Sequence, residues 1–367
     1  MGIKIYHLGV AGMGWVWYTG YNIGMGRYSM KAAIYNGVHD VEIIEKPDYV
    51  CGDDAVILKN IYSSVCGTDV AVYEHGLGMG HRITVGGEFG HETVCRICAV
   101  GKNVTDFHVG DRVYPYPLLV TGERSRAGTI GAFSEYIYCP HPKRQESLYA
   151  VDAHISDKAA ALIEPFTVGC RAARRGLPKK GQKAVVFGAG TIGIGAAIAL
   201  RYFGCEQVVI CDHSDFRLNI CKGLGFDTYN NKTGDTLNGL SHILGKASGI
   251  NGDAIDADIW IDAAGADSVL TDYEQYGKYN SNLVLVAVGT NRREVDLLGL
   301  TFGQKAVIGS GGYTPQDVAD VMQIMQSGQW DIESIITHVF TLDDLSKAIE
   351  QAADTDHALN VVIRFDS

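Results

Sequence analysis

Two constellations in this chain have residue types and spacings that could do chemistry. The first is Gly188-Ala-Gly190-Thr-Ile-Gly193, placed directly behind the apolar run Ala184-Val-Val-Phe187. An apolar stretch from Thr191 to about Phe203 follows, and then a second run, Gln207-Val-Val-Ile-Cys-Asp212, which ends in an acid. In that order Gly188 permits a tight turn, Gly190 lets backbone approach a pyrophosphate, and Gly193 lets helix and strand pack closely. The helix start offers free N–H groups and a positive dipole end to phosphates. Asp212 is placed to accept the two ribose hydroxyls of NAD, and its charge repels the extra phosphate of NADP. The glycine pattern alone is a weak signal. Strand, turn, helix, strand and terminal acid together predict a dinucleotide-binding unit.

The second constellation is Cys66-Gly-Thr68-Asp69, then Gly90-His91-Glu92, then Glu164-Pro165. A thiolate, an imidazole and a carboxylate suit a catalytic zinc that keeps one position open. Taken singly these residues have plainer readings, a small core thiol or a solvated acid. They stand far apart in sequence, so spacing leaves both readings open. Cys95-x-x-Cys98 also has metal or redox spacing, but on a strand its side chains point to opposite faces. His75 and His81 lie between the first two motifs and are expected to face solvent.

These residues need elements to position them. From Met30 to about His154 short β runs alternate with glycine and asparagine turns, as in Ala55–Leu58, Thr93–Val100, Gly110–Val113 and Gly131–Ile137, predicting a barrel-like β domain. Ser156 caps a helical stretch expected to run through Ala172. Strands at 183–187, 207–211, 258–261 and 283–288 then alternate with helical segments, predicting a doubly wound parallel sheet. Beyond Ala306–Ile308, a helix from Pro315 to Ser327 and a β segment, Asn360–Arg364, are expected. The predicted division is an extension over 1–29, a catalytic domain of 30–157 and 306–367, and a nucleotide-binding domain of 158–305. Residues 1–29, rich in Gly, Tyr and Trp, show neither an Arg-rich amphipathic face nor a signal-peptide cleavage pattern.

Composition sets bounds. A length of 367 residues suits two domains, and 46% hydrophobic with 20% charged residues is the balance of a soluble globular protein. A net charge of −11 without basic runs argues against nucleic-acid and anionic-membrane partners. No stretch reaches the roughly 20 apolar residues that span a bilayer. Nine cysteines without a disulfide framework predict a reducing cytoplasm.

From Met30 onward the chain resembles the medium-chain zinc-dependent alcohol dehydrogenase superfamily, and within it the sorbitol and polyol dehydrogenase branch. The resemblance rests on Cys66-Gly-Thr-Asp69, Gly90-His-Glu92, Glu164-Pro-Phe-Thr-Val-Gly169, the stretch DVAVYEHG over Asp69–Gly76, and the pair Asp212 and Arg217. It implies a GroES-like, mostly β catalytic domain beside a Rossmann domain. It implies zinc held by Cys66, His91 and a glutamate, with Glu92 and Glu164 both candidates. Asp69 then resembles the acid that orients the histidine, and Thr68 the hydroxyl that receives the alcohol proton. The implied NAD contacts are Gly188, Gly190, Ile192, Gly193, Asp212, Arg217, Val288 and Gly289. The four-cysteine structural-zinc lobe of many relatives should fall between Arg112 and Gly131, where no cysteine occurs, so one zinc per chain is expected.

Three departures from that branch bear on substrate. Ala71 replaces a relay histidine, Val72 a pocket tyrosine, and Gly309-Ser310 an Arg-Tyr pair that contacts polyols. Loss of those hydrogen-bonding groups argues against sorbitol itself and leaves a diol, cyclitol, amino alcohol or sugar. The resemblance thus implies oxidation of a secondary alcohol with NAD. Its rivals are a threonine-type amino-alcohol dehydrogenase and a dinucleotide-binding module without turnover. A homodimer or homotetramer is expected, with Asn282–Val286 or Ala306–Ile308 as the pairing edge.

Overall fold

The computed structural model describes residues 29–78, 83–232, 234–289 and 292–366. The expected extension, apart from Ser29, lies outside the described residues, as does His81.

The first part of the chain forms β1 (Ser29–Gly37), β2 (Asp40–Pro47), β3 (Val56–Ser64), helix α1 (Gly67–His75), β4 (Gly87–Glu88), β5 (Glu92–Val100), β6 (Arg112–Pro115), β7 (Tyr136–Cys139) and β8 (Leu148–Ala150). The middle forms α2 (Asp157–Ala160), α3 (Ile163–Arg175), β9 (Lys183–Phe187), α4 (Thr191–Tyr202), β10 (Gln207–Asp212), α5 (Asp215–Gly223), β11 (Asp227–Asn230), α6 (Thr236–Leu244), β12 (Lys246–Gly249), β13 (Gly252–Ile255), β14 (Ile259–Asp262), α7 (Asp267–Tyr276), β15 (Asn282–Leu285), α8 (Leu297–Gly303), β16 (Ala306–Gly309) and α9 (Pro315–Gln326). The last part forms β17 (Ile336–Thr341), α10 (Leu345–Ala353) and β18 (Asn360–Arg364).

The middle elements build a six-stranded sheet in the order β11-β10-β9-β14-β15-β16, every pairing parallel. Strands buried on both faces read as continuous apolar runs, as Ala184–Phe187 and Val208–Cys211 do. The order reverses beside β9, so the turn after β9 opens at the switch point where such sheets bind ligands. The expected helix after Ser156 is two helices. Ser156 does cap α2, accepting from the Ala159 N–H, but the chain breaks at Ala161–Leu162 before α3. Pro165 explains the break: a helix continuing from α2 would drive its ring against the carbonyl of Ala161.

The flanking parts build a seven-stranded sheet, β17-β18-β3-β5-β6-β8 with β7 also on β3, and a three-stranded sheet, β2-β1-β4. β18 pairs antiparallel with β3, so the end of the described chain completes the sheet begun near its start. The buried Asn60 side chain donates to the carbonyls of Gly131 and Ser134 and accepts from Thr93, pinning the 131–134 loop across β3 and β5.

The expected boundary at 305/306 does not hold at β16. Its residues Ala306–Gly309 pair in parallel register with Asn282–Leu285, which places it in the nucleotide sheet as an edge strand. α9 stays with that half too, because Arg174 of α3 reaches the buried Asp317 of α9 at 2.6 Å and also pairs with Asp320. No helix among the described residues is long and apolar enough to cross a membrane. All nine cysteines are unpaired. Cys95 is buried and Cys98 exposed, on opposite faces of β5 as expected.

Candidate active site

The spacing Cys66-x-x-Asp69 proves to be a helix cap. Cys66 is the N-cap of α1, and Asp69, three residues in, accepts the Cys66 N–H at 3.0 Å. Thr68, between them, donates its hydroxyl to Cys66 Sγ at 2.8 Å. One turn of chain therefore fixes three of the expected residues. His91 follows Gly90, whose φ of +86° and contact with Phe133 exclude any side chain there. Glu92 opens β5 directly opposite Ser64, the last residue of β3.

Tertiary folding closes the sequence gap. Cys66, His91 and Glu92 each offer a ligand atom, and the three lie within 4.8 Å of one another. Glu164 stands apart from that trio. It sits in the first turn of α3, 8% exposed, and lines a cleft of about 330 Å³ with Thr68, His91, Tyr116, Leu118 and Tyr313.

The donor set fits a divalent cation on its chemistry. Burial pushes the Cys66 thiol up to about 11, with Asp69 adding to it. Burial also raises Glu92 well above the usual carboxylate range, with Cys66 and Glu164 contributing, and it raises Asp69 and Glu164 as well. Burial alone would lower His91, but Asp69, Glu164 and Glu92 outweigh it and raise its pKa. Asp69 Oδ1 and His91 Nδ1 are buried without a hydrogen-bond partner. A thiol and three carboxyls around one imidazole stay protonated unless a cation offsets their charge.

The glycine turn has the expected geometry. Gly188 has φ +104°, and a Cβ there would meet the backbone of Ala263 at 3.0 Å. A Cβ on Gly193 would overlap the Gly188 carbonyl oxygen, whereas one on Gly190 would come no nearer to anything than Arg217, at 4.0 Å. Gly190, Ile192, Gly193 and Arg217 line a cleft of about 190 Å³ together with Cys66 and Glu92. A second cleft, about 400 Å³, is lined by Gly188, Asp212 and Arg217, with His213, Asn231 and Thr355 added by the structure. Asp212 accepts the Ala189 N–H at 2.7 Å and the Ser214 N–H at 2.8 Å, which leaves each oxygen a lone pair for a ribose. Arg217 Nε donates to the Ala358 carbonyl at 2.9 Å. Val288 and Gly289 are exposed just beyond β15 and line neither of these clefts.

Two protein families match the two parts of the chain that build this site. Residues 52–146 match the family described as alcohol dehydrogenase GroES-like domain, and residues 191–327 match the one described as zinc-binding dehydrogenase. The chain belongs to the medium-chain zinc-dependent alcohol dehydrogenase superfamily. It is an oxidoreductase of the zinc-dependent alcohol dehydrogenase kind. Sorbitol dehydrogenase 1 of Saccharomyces cerevisiae is 26% identical over 352 residues, 89% of this chain and 95% of that protein. An L-threonine 3-dehydrogenase of Idiomarina loihiensis is 26% identical over 324 residues, 84% and 91% of the two chains. The solved 2R,3R-butanediol dehydrogenase of Bacillus subtilis shares the fold, with a TM-score of 0.79 at 24% identity over 92% of this chain and 100% of its own.

Sequence reasoning missed Tyr116 and Tyr313. Tyr313 follows the sheet's edge strand at Gly311-Gly312, and its hydroxyl meets that of Tyr114 at 2.5 Å and also bonds Glu164. The ring of Tyr116 lies 5.0 Å from that of Tyr313. A tyrosine in a glycine turn at the carboxyl end of a parallel strand was the available signal. Val72 does not occupy the cleft. It is buried in the core between α1 and α10, and its carbonyl accepts the Tyr35 hydroxyl at 3.0 Å.

Proposed function

We propose that this dehydrogenase oxidises a neutral secondary alcohol, of the diol, cyclitol, polyol or sugar type, with NAD as hydride acceptor. The observation that carries the reading is that Cys66 and Glu92 of the donor trio line the same cleft as Gly190, Ile192 and Gly193. Cys66, His91 and Glu92 would hold zinc, which supplies a Lewis acid for the substrate oxygen. The turn from Gly188 to Gly193, with Asp212 and Arg217, would hold NAD, which supplies the site for hydride.

The chain's own residues do the rest. Asp69 faces His91 and orients the imidazole. Glu164, held by Tyr313, lines the cleft beside His91 and Thr68 and orders the polar end of the substrate. The Thr68 hydroxyl, which otherwise donates to Cys66 Sγ, takes the alcohol proton on a lone pair as it turns its own proton over to the next acceptor. With Ala71 in place of a histidine, that proton leaves through water or a ribose hydroxyl. Ile83, Leu118 and Val168 add apolar lining to the cleft and keep water from the reacting carbon.

Among the described residues no lysine or arginine lines the 330 Å³ cleft. A substrate carboxylate would find no counter-ion among those residues, which supports a neutral alcohol over threonine. The nucleotide-binding unit runs from α3 through α9 and the catalytic unit takes the flanking parts. The unpaired edge of β16, with Leu297, Leu298 and Phe302 of α8 exposed, supports a homo-oligomer. Nine free thiols support a cytoplasmic setting, and one zinc per chain is our count. The test is NAD reduction by the zinc-loaded protein across polyols, cyclitols, diols, sugars and threonine. Turnover of a neutral class, lost in Cys66→Ser, supports the reading; turnover of threonine alone, or zinc-independent turnover, overturns it.

A further inference from the structure

One amide group joins the two halves of the site. Asn360, the first residue of β18, is 3% exposed. Its Nδ2 donates to Ser64 Oγ at 2.9 Å and to Thr191 Oγ1 at 3.1 Å. Ser64 ends β3, is fully buried, and hydrogen-bonds the Glu92 carboxylate. Thr191 is the first residue of α4, directly after Gly190. Strand register fixes the arrangement, because Val362 pairs with Ser64 and Ser64 with Glu92 across β18, β3 and β5.

The direction of these bonds matters. An amide NH2 has two protons and donates both here. Each hydroxyl therefore receives a proton on its oxygen and is free to aim its own proton elsewhere. Ser64 aims at the Glu92 carboxylate. Thr191 aims from the helix start that faces the pyrophosphate position. The Asn360 side-chain oxygen, Oδ1, is buried without a partner, so nothing else is gained by this orientation.

We propose that Asn360 is a positioning residue that couples nucleotide binding to the metal carboxylate, by directing the hydroxyl protons of Ser64 and Thr191 at two anions on opposite sides of the cleft. The coupling rests on the zinc and NAD reading above. An anion at the α4 turn fixes the Thr191 hydroxyl, which fixes the Asn360 amide, which fixes Ser64 on Glu92. By linkage, zinc tightens nucleotide binding and nucleotide tightens zinc by the same factor.

The test measures the NADH dissociation constant by fluorescence, with and without one equivalent of zinc. In the wild type zinc tightens NADH by about 5-fold or more, the usual lower range for coupled sites. Asn360→Leu binds both ligands but brings the ratio to about one. Asn360→Asp, the same shape, accepts from both hydroxyls, turns both protons away from the anions and weakens both ligands. If circular dichroism shows either variant unfolded, Ser64→Ala and Thr191→Val cut the same line from its two ends and must each abolish the ratio. A ratio retained in Asn360→Leu or in both end variants overturns the proposal, as does a wild type that binds both ligands without coupling. A wild type that binds no zinc overturns the functional reading itself, which zinc titration alone reveals.

Discussion

The hydroxyls of Tyr114 and Tyr313 meet at 2.5 Å, joining β6 of the catalytic sheet to the turn that leaves the nucleotide sheet. Tyr313 passes the contact on to Glu164 in the cleft. Tyr313→Phe removes a hydrogen bond to a buried carboxyl, a loss of about 1–3 kcal/mol. We expect kcat/KM to fall roughly 10- to 100-fold at that energy, with zinc content unchanged. Steady-state kinetics beside metal analysis checks this, and unchanged kinetics would make Tyr313 a bystander.

Removing a donor from the trio acts on metal first. Cys66→Ser should lose bound zinc and turnover together, while Asp69→Asn should weaken zinc about 10- to 100-fold through the histidine it faces. Protons compete with zinc for Cys66 and Glu92, both raised by burial, so zinc affinity falls as pH falls. Chelator competition across pH measures each effect.

Asp212 should set the choice between the two nicotinamide dinucleotides. Asp212→Ser removes the charge that opposes a 2′-phosphate and should shift the NAD-to-NADP ratio of kcat/KM by about 10-fold or more towards NADP, an effect of one lost charge contact. The variant also gives up two backbone hydrogen bonds, each about 1 kcal/mol, so its melting point should drop as well.

Gly193→Ala places a methyl on the Gly188 carbonyl and must push α4 off the sheet. Overpacking of this kind destabilises by about 1–3 kcal/mol. NADH affinity should fall with it, whereas Gly190→Ala, with open space above it, should fold normally and lose affinity only.

Alkaline stability should be limited by buried thiols. Burial pushes the Cys170 thiol up to about 12. The folded state then holds a proton that the unfolded state has released, so stability falls as pH rises from about 9 towards 12. Cys95, Cys139, Cys205, Cys211 and Cys221 are raised by burial too, so Cys170→Ala should make that limb shallower by one thiol's share without abolishing it. Urea midpoints across the window decide it.

Local features were legible in the sequence. The turn from Gly188 to Gly193 and the helix behind it depend on near neighbours and took the expected form, whereas the equally local Cys66–Asp69 spacing is a helix cap that the motif's metal reading did not include. The metal trio depends on β3 and β5 lying side by side, which no spacing records, and only the resemblance pointed to it. Between the two candidate carboxylates the fold groups Glu92 with the thiol and imidazole and leaves Glu164 in the cleft lining outside that trio. Val72 leaves the pocket because of helix phase: it lies three residues after the buried Asp69 and shares its inward face. β16 was put on the wrong side of the boundary because a short apolar strand reads alike in either sheet.

Ser64 and Asn360 meet although 296 residues separate them. A ribosome adding about 5–20 residues per second needs roughly 15–60 s to make the second after the first. By the end of that interval every strand of the nucleotide sheet has been made, while β3 still has no β18 beside it. The nucleotide half is therefore expected to be the first part of the nascent chain to become protease-resistant. The half that binds metal waits, with its thiol uncovered, for the closing strand.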